Sequence, residues 1–310
     1  MGCLDFLNLY LVSIASITFG YVLAEILNQT NLIKLIGKKT SKIAKIGIHP
    51  SLSTVPALYL VSPRLAHTTA SSLLKKGEID EFDLYIAILA SNFSLRIMYI
   101  YRYYLPVLLP LLGIVALYFI GLRIIFDIFL LFVVMLIGKR RYKHANQNND
   151  LNNELNIKFS KEVLKGGFIN GLKLSLKFIK VFTPIFLVVV FMMKFGIMDK
   201  ITKVLSPILK FIGLDSLGIT YVSTAVLSPR VAYGIAKIML DYHYSINIVL
   251  GCMFIGNGLF VLTYEWWVRI LPYYAGLYPK DVALKLVGIQ AFLPSMYSIF
   301  LGILLLKLSF

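Results

Sequence analysis

Cysteine is almost missing from this chain. With Cys3 and Cys252 alone among 310 residues, neither a disulfide framework nor a CxxC metal pair can form. Histidine is as scarce, and His49, His67, His144 and His243 have no metal-ligand spacing. Charge is thin: 15% of residues are charged against 58% hydrophobic, and the mean hydropathy is +0.80. A soluble domain carries about 25% charge. No polar stretch is long enough for a soluble domain; the longest runs from Gly138 to about Lys180. The sequence also lacks GxSxG, HExxH, P-loop and dinucleotide fingerprints, so it is expected to be neither an enzyme nor ATP-coupled, with no cofactor and no metal. Met1-Gly2-Cys3 is no lipidation signal, because Phe6 stands where a Ser or Thr is needed and no apolar segment precedes Cys3.

What is present is a set of apolar runs with the charges between them. They cover about 6–27, 52–74, 84–101, 105–121, 124–137, 181–198, 217–240, 246–264, 271–288 and 290–308. Roughly 20 apolar residues cross about 30 Å of hydrocarbon. The chain therefore reads as an all-α, polytopic membrane protein with nine or ten membrane segments. The first run lacks a basic leader and a small-residue cleavage site, so a retained span is expected. Runs four and five are parted only by Gly121-Leu122-Arg123, which suggests a tight hairpin there. Asn31–Ile46 and Asp199–Ile212 combine apolar residues at helical spacing with lysines and read as surface helices.

The net charge is +16. The lysines and arginines flank apolar runs, which fits membrane orientation and contact with lipid head groups, and no nucleic-acid partner is expected. The Asn-rich stretch 144–156 lies between Lys139-Arg140-Arg141 and Lys158, Lys161 and Lys165. It reads as a cytoplasmic linker in a protein of the cell membrane. The expected organisation is a membrane repeat over 1–138, a basic linker over 139–178 and a second membrane repeat over 179–310.

The repeat itself is visible in the residues. Val61-Ser62-Pro63-Arg64-Leu65-Ala66 recurs as Leu227-Ser228-Pro229-Arg230-Val231-Ala232, 166 residues on. Lys45-Ile46-Gly47 and Phe211-Ile212-Gly213 share that offset, as do Leu105-Pro106 and Leu271-Pro272; Asn92 pairs with Asn257 after one deletion. If five runs cross in each half, the two repeats are inverted, as in many secondary transporters. Lys34, Lys38, Lys39, Lys42 and Lys45 would then be cytoplasmic, and Glu78, Asp80, Glu81 and Asp83 external.

Ser-Pro within an apolar run breaks a helix or starts one, because Pro lacks an N–H and clashes with the preceding turn. Ser before Pro at a first helical position makes a good N-terminus. Two half-helices are therefore expected to begin at Pro63 and Pro229, with their positive ends directed inward. Arg64 and Arg230 follow at once, and an intramembrane guanidinium needs a partner or water. The pair suggests a joint anion site near the bilayer midplane; internal pairing, with Glu25 or Glu265, is the plainer alternative. His67 and Tyr233 stand one turn further on, as a proton relay or as hydrogen-bonded structural groups. Asn92 and Asn257 either touch substrate or bridge helices. The candidate substrate-binding set is thus Ser62, Pro63, Arg64, His67, Asn92, Ser228, Pro229, Arg230, Tyr233, Asn257 and Glu265. Arg96, Arg102 and Arg269 are expected to snorkel, and the two tryptophans and many tyrosines to form an interface belt.

The segments VSPRLAHTTASSLL and LSPRVAYGIAKIML resemble the membrane proteins of the nucleoside-recognition, or Gate, type. That resemblance implies a membrane transporter or permease with Ser62, Pro63, Arg64, Ser228, Pro229 and Arg230 as gate residues. No fused GTPase and no gate cysteine are present, which sets the chain apart from the ferrous-iron transporters of that type. The expected function is secondary transport of an anionic or phosphate-bearing solute, including a lipid-linked phosphate. The alternatives are a nucleoside or metal-ion permease and a non-transporting membrane scaffold. The expected partners are membrane lipids and the small anionic or phosphorylated substrate.

Overall fold

The structure is a computed structural model that describes residues 47–142, 160–196 and 210–308, with single positions between 10 and 26 and between 200 and 207. The stretch Asn31–Ile46 and the Asn-rich 144–156 lie outside the described residues. Asp199–Ile212 is described only in part, helical at 200, 203, 207, 210 and 211.

Among the described residues every regular element is a helix. We label them α1 (Val55–Val61), α2 (Pro63–Lys75), α3 (Glu81–Leu112), α4 (Ile114–Arg141), α5 (Lys161–Lys194), α6 (Ser216–Leu227), α7 (Pro229–Asp241), α8 (Ile246–Ala275) and α9 (Lys280–Lys307). Four of these, α3, α4, α8 and α9, are long and apolar enough to cross a membrane. The shortest has 28 residues, about 42 Å at 1.5 Å per residue.

The long helices owe their shape to proline. α3 opens into π turns over Ile100–Leu108 around Pro106. α8 does so over Val261–Ile270 just before Pro272, and α9 over Gly288–Phe292 just before Pro294. A proline deletes one i→i−4 bond and pushes on the preceding turn, and a wider turn relieves the clash without ending the helix. The chain turns instead at Gly113, whose φ of +55° suits glycine. The expected hairpin at Gly121-Leu122-Arg123 is therefore absent. Those residues lie inside continuous α4, because no proline interrupts the apolar run there and Gly121 keeps helical geometry.

α1 and α2 form a helical hairpin. Before α1, Gly47 lies so close to α4 that a Cβ there would meet the Val134 carbonyl at 2.7 Å, and His49 packs edge-on against Tyr142. After α2, Asp80 and Asp83 bond to Arg141, and Tyr142 donates to Asp83. Both ends of the hairpin thus lie at the C-terminal end of α4, and the SPR break at Ser62 is its tip. Run two is therefore folded back on itself instead of running from one end of α4 to the other. The acidic group Asp80 to Asp83 shares an end with Arg141, so acidic residues outside and a basic linker inside is corrected. Charge sign misled because these charges pair with each other.

α6 and α7 fold back in the same way. Asp215 caps α6 through the Gly218 N–H at 2.9 Å and accepts the Tyr244 hydroxyl from the turn after α7. The two hairpins enter from opposite ends. Beside α2, Ser71 donates to the Leu277 carbonyl, and Lys285 at the start of α9 pairs with Glu81 at the start of α3. Beside α7, the C-terminal residues of α3 pack with α7 instead. Two cores result. One joins α1, α2 and the first part of α3 to the end of α8 and start of α9; the other joins α6, α7 and the first part of α8 to the end of α3 and start of α4. Helix bounds keep one spacing: Pro63 and Pro229, Lys75 and Asp241, Ile114 and Lys280, Arg141 and Lys307 all stand 166 residues apart.

α5 begins at Lys161, inside the stretch read as linker, and α4 runs on to Arg141. α5 lies antiparallel to the helical positions near the N-terminus, joined through Tyr10 to Thr183 at 2.7 Å and Thr18 to Ser175 at 2.8 Å.

Candidate functional site

The first hairpin tip is built by backbone conformation. Ser62 is extended, at φ −161° and ψ 119°, and its carbonyl accepts from the Ala66 N–H at 3.1 Å while its hydroxyl caps nothing. α2 thus starts at Pro63 with a bare N-terminus. Arg64 is exposed. Among the described residues no carboxylate lies in ion-pair range of its guanidinium. One turn on, His67 is 1% exposed and wholly enclosed. Its Nε2 is 2.6 Å from the Tyr59 hydroxyl and its Nδ1 3.0 Å from that of Tyr278. The rings of Tyr273 and Tyr274 pack on it as well. Gln290 ties this cage to Asn92, donating to Asn92 Oδ1 at 3.0 Å and accepting the Tyr274 hydroxyl at 3.0 Å. The Asn92 Nδ2 is buried without a partner.

The second tip repeats the geometry with other chemistry. Ser228 is extended, at φ −159° and ψ 102°, buried, and again caps nothing with its side chain. The Arg230 guanidinium lies over the Tyr103 ring at 5.4 Å. Tyr233, in the place of His67, donates to Asn257 Oδ1 at 3.1 Å, and Asn257 donates to the Met253 carbonyl at 2.7 Å. Each hairpin is thus tied to a long helix that starts on the other side: His67 to the end of α8, Arg230 to the end of α3.

The expected site residues therefore fall into two groups. Ser62, Pro63, Arg64, His67 and Asn92 belong to the first core, and Ser228, Pro229, Arg230, Tyr233 and Asn257 to the second. Arg64 and Arg230 stand at the tips of different hairpins. Glu265 pairs with Arg269 one turn along its own helix.

Two readings of charged and aromatic residues are corrected. Arg96 does not snorkel. Its Nε donates to Asp127 at 2.6 Å, with only 13% and 3% of the two side chains exposed, and its Nη1 donates to the Tyr104 hydroxyl at 3.3 Å. The pairing wins because a buried charge with a hydrogen-bonded partner avoids the cost of an unpaired one. Tyr59, Tyr221 and Tyr233 are among the largest fully buried side chains, so the tyrosines serve the cores as well as the surface. Asp127 was passed over in the sequence, although a lone carboxylate within the apolar run of α4 is a signal by itself.

Crossing-length apolar helices and two internal helix breaks define a helical, membrane-embedded protein. No family model matches the chain, and no solved structure does. It is 26% identical over 280 residues to the uncharacterized protein MJ1556 of Methanocaldococcus jannaschii, covering 89% of this chain and 87% of that one. From the same organism, the uncharacterized protein MJ0880 is 26% identical over 206 residues, covering 66% and 67%. MJ0871, also uncharacterized, is 22% identical over 305 residues, covering 95% and 93%.

Proposed function

We propose that this protein is a secondary transporter built from two inverted repeats, moving a small anionic or phosphate-bearing solute between its hairpin tips. The observation that carries the reading is the pair of opposed re-entrant hairpins, each ending in a bare helix N-terminus followed by an arginine. A helix N-terminus favours negative charge through its free N–H groups and its dipole. The recurrence of helix bounds at one spacing supports the duplication, and the opposite entry of the hairpins supports the inversion. In such a transporter the site lies where the repeats meet, and one hairpin opens while the other stays closed. The basic residues around 139–143 favour a cytoplasmic linker in the cell membrane. The first hairpin then opens towards the cytoplasm. The resemblance to Gate-type proteins supports a permease and adds nothing on the substrate.

The test is uptake of radiolabelled inorganic phosphate by the full chain in proteoliposomes, with flipping of a fluorescent phosphatidic acid as a parallel arm. Arg64→Ala and Arg230→Ala should each lower the initial rate at least tenfold while leaving the thermal midpoint in place. Uptake and flipping unchanged in both variants reject the reading.

A further inference from the structure

The charge inside α3 and α4 does not balance. Arg96 is matched by Asp127. Arg123, one turn earlier on α4, has no carboxylate in ion-pair range among the described residues. Its Nη1 donates to the Tyr104 hydroxyl at 3.2 Å, and its plane lies over Phe119 at 4.8 Å and Phe254 at 5.7 Å. Its Nε is buried with no acceptor. The unpartnered Nε–H lies on the Nε–Nη2 edge, and that edge is the one that takes two oxygens of a carboxylate or phosphate.

The neighbouring hydroxyls also have protons to give. Tyr104 already receives N–H bonds from both Arg96 and Arg123, so its own O–H remains to donate. Tyr221 is fully buried, its hydroxyl has no partner, and it belongs to the same core as Tyr104 and as the Phe119 and Phe254 rings beneath Arg123. A partly buried guanidinium with a buried, unused Nε–H meets the Tyr104 hydroxyl here. A buried N–H or O–H left without an acceptor is costly. What relieves these donors together is an acceptor that carries negative charge.

We infer that Arg123, Tyr104 and Tyr221 form an oxyanion-binding site among α3, α4, α6 and α8. The site takes a phosphate or carboxylate group, held bidentately by the Nε–Nη2 edge of Arg123 with hydroxyl bonds from the tyrosines. Its assignment to transported solute rests on the transport reading; binding itself does not. Asp127 holds Arg96 away from the ligand, and Tyr104 positions both arginines.

The experiment is calorimetric titration of the purified full chain with inorganic phosphate at constant ionic strength against chloride, repeated with dihexanoyl phosphatidic acid. Arg123→Gln should weaken binding at least tenfold. Arg123→Lys, which keeps the charge but loses the fork, should also weaken it severalfold, and it stands in if the glutamine variant does not fold. Lys237→Ala, a surface control, should bind within twofold of wild type. Binding of phosphatidic acid only keeps the site and makes its ligand a lipid head group. Wild type that prefers neither phosphate to chloride, or an Arg123 variant that binds as tightly as wild type, overturns the inference. Failure of the transport reading shows separately, as uptake indifferent to Arg64 and Arg230.

Discussion

Tyr59 and His67 stand eight residues apart in the chain, yet the Tyr59 hydroxyl lies 2.6 Å from His67 Nε2. Along one straight helix, eight residues span about 12 Å. The contact exists because Ser62 is extended and folds α2 back beside α1. Tyr278, from the loop between α8 and α9, takes the other ring nitrogen. The first hairpin is thus latched to itself and to the loop between α8 and α9 by one imidazole.

The latch should be measurable as a coupling. Tyr59→Phe leaves a buried ring nitrogen unpaired, which costs about 1–3 kcal/mol. His67→Ala should cost at least as much. Because both remove one interaction, the double variant should fall short of the sum by about 1 kcal/mol. Equilibrium unfolding of the three variants in mixed detergent gives the cycle; additivity would show that the two groups do not act together.

At the base of the same hairpin, Asp80 lies in a capping box with Asp83 and pairs with Arg141. Burial by itself raises the Asp80 carboxyl, but the Asp83 N–H and the Arg141 guanidinium outweigh it and hold it below its ordinary 3.8. The folded value is then lower than the unfolded one. Its contribution to stability is complete above the unfolded value and is lost as the pH falls through the folded one. Stability should stay level from neutral pH down to about pH 5 and decline below 3.8. Arg141→Gln should flatten that decline. A thermal midpoint followed from pH 7 to pH 3 checks it, and an equal acid slope in both proteins contradicts it.

The Arg96–Asp127 pair is buried on both sides, and breaking it should be costlier than deleting it. Asp127→Ala leaves the buried Arg96 with no carboxylate and should cost about 3–5 kcal/mol. Replacing both partners with apolar residues, as Arg96→Met with Asp127→Leu, should recover most of that. The same unfolding measurement decides it; a double variant no better than Asp127→Ala would mean that the carboxylate serves something other than Arg96.

Much of this architecture was legible in the residues. The apolar runs gave a helical membrane protein, and Ser-Pro at 62–63 and 228–229 marked two helix breaks, because proline leaves few other conformations. The direction of the chain after each break was not legible. A broken span and a hairpin have the same composition, and contacts such as His49 on Tyr142 and Asp83 on Arg141 tell them apart. The turn falls at Gly113 and not at Gly121, and composition does not reveal which glycine has positive φ. The ion pair of Arg96 and Asp127 spans 31 residues, a separation at which the sequence offers no register.

The hairpin topology makes a prediction about sides that no broken-span arrangement shares. Glu78, after the first hairpin, and Lys139, at the end of α4, are both exposed and lie at the same end of the bundle as the Asp83–Arg141 pair. Tyr242, 70% exposed at the base of the second hairpin, lies at the other end. Cys252 is buried, and with Cys3 it can be replaced by Ala to give a background free of thiols. In sealed vesicles, Glu78→Cys and Lys139→Cys should react with a membrane-impermeant maleimide from one face, and Tyr242→Cys from the other. If the first hairpin crossed instead, Glu78 would lie one transit away from its present end and the labelling of the first two positions would split. Glu78 and Lys139 reacting from opposite faces would therefore remove the re-entrant hairpin, and with it the placing of Arg64 at a tip inside the bilayer.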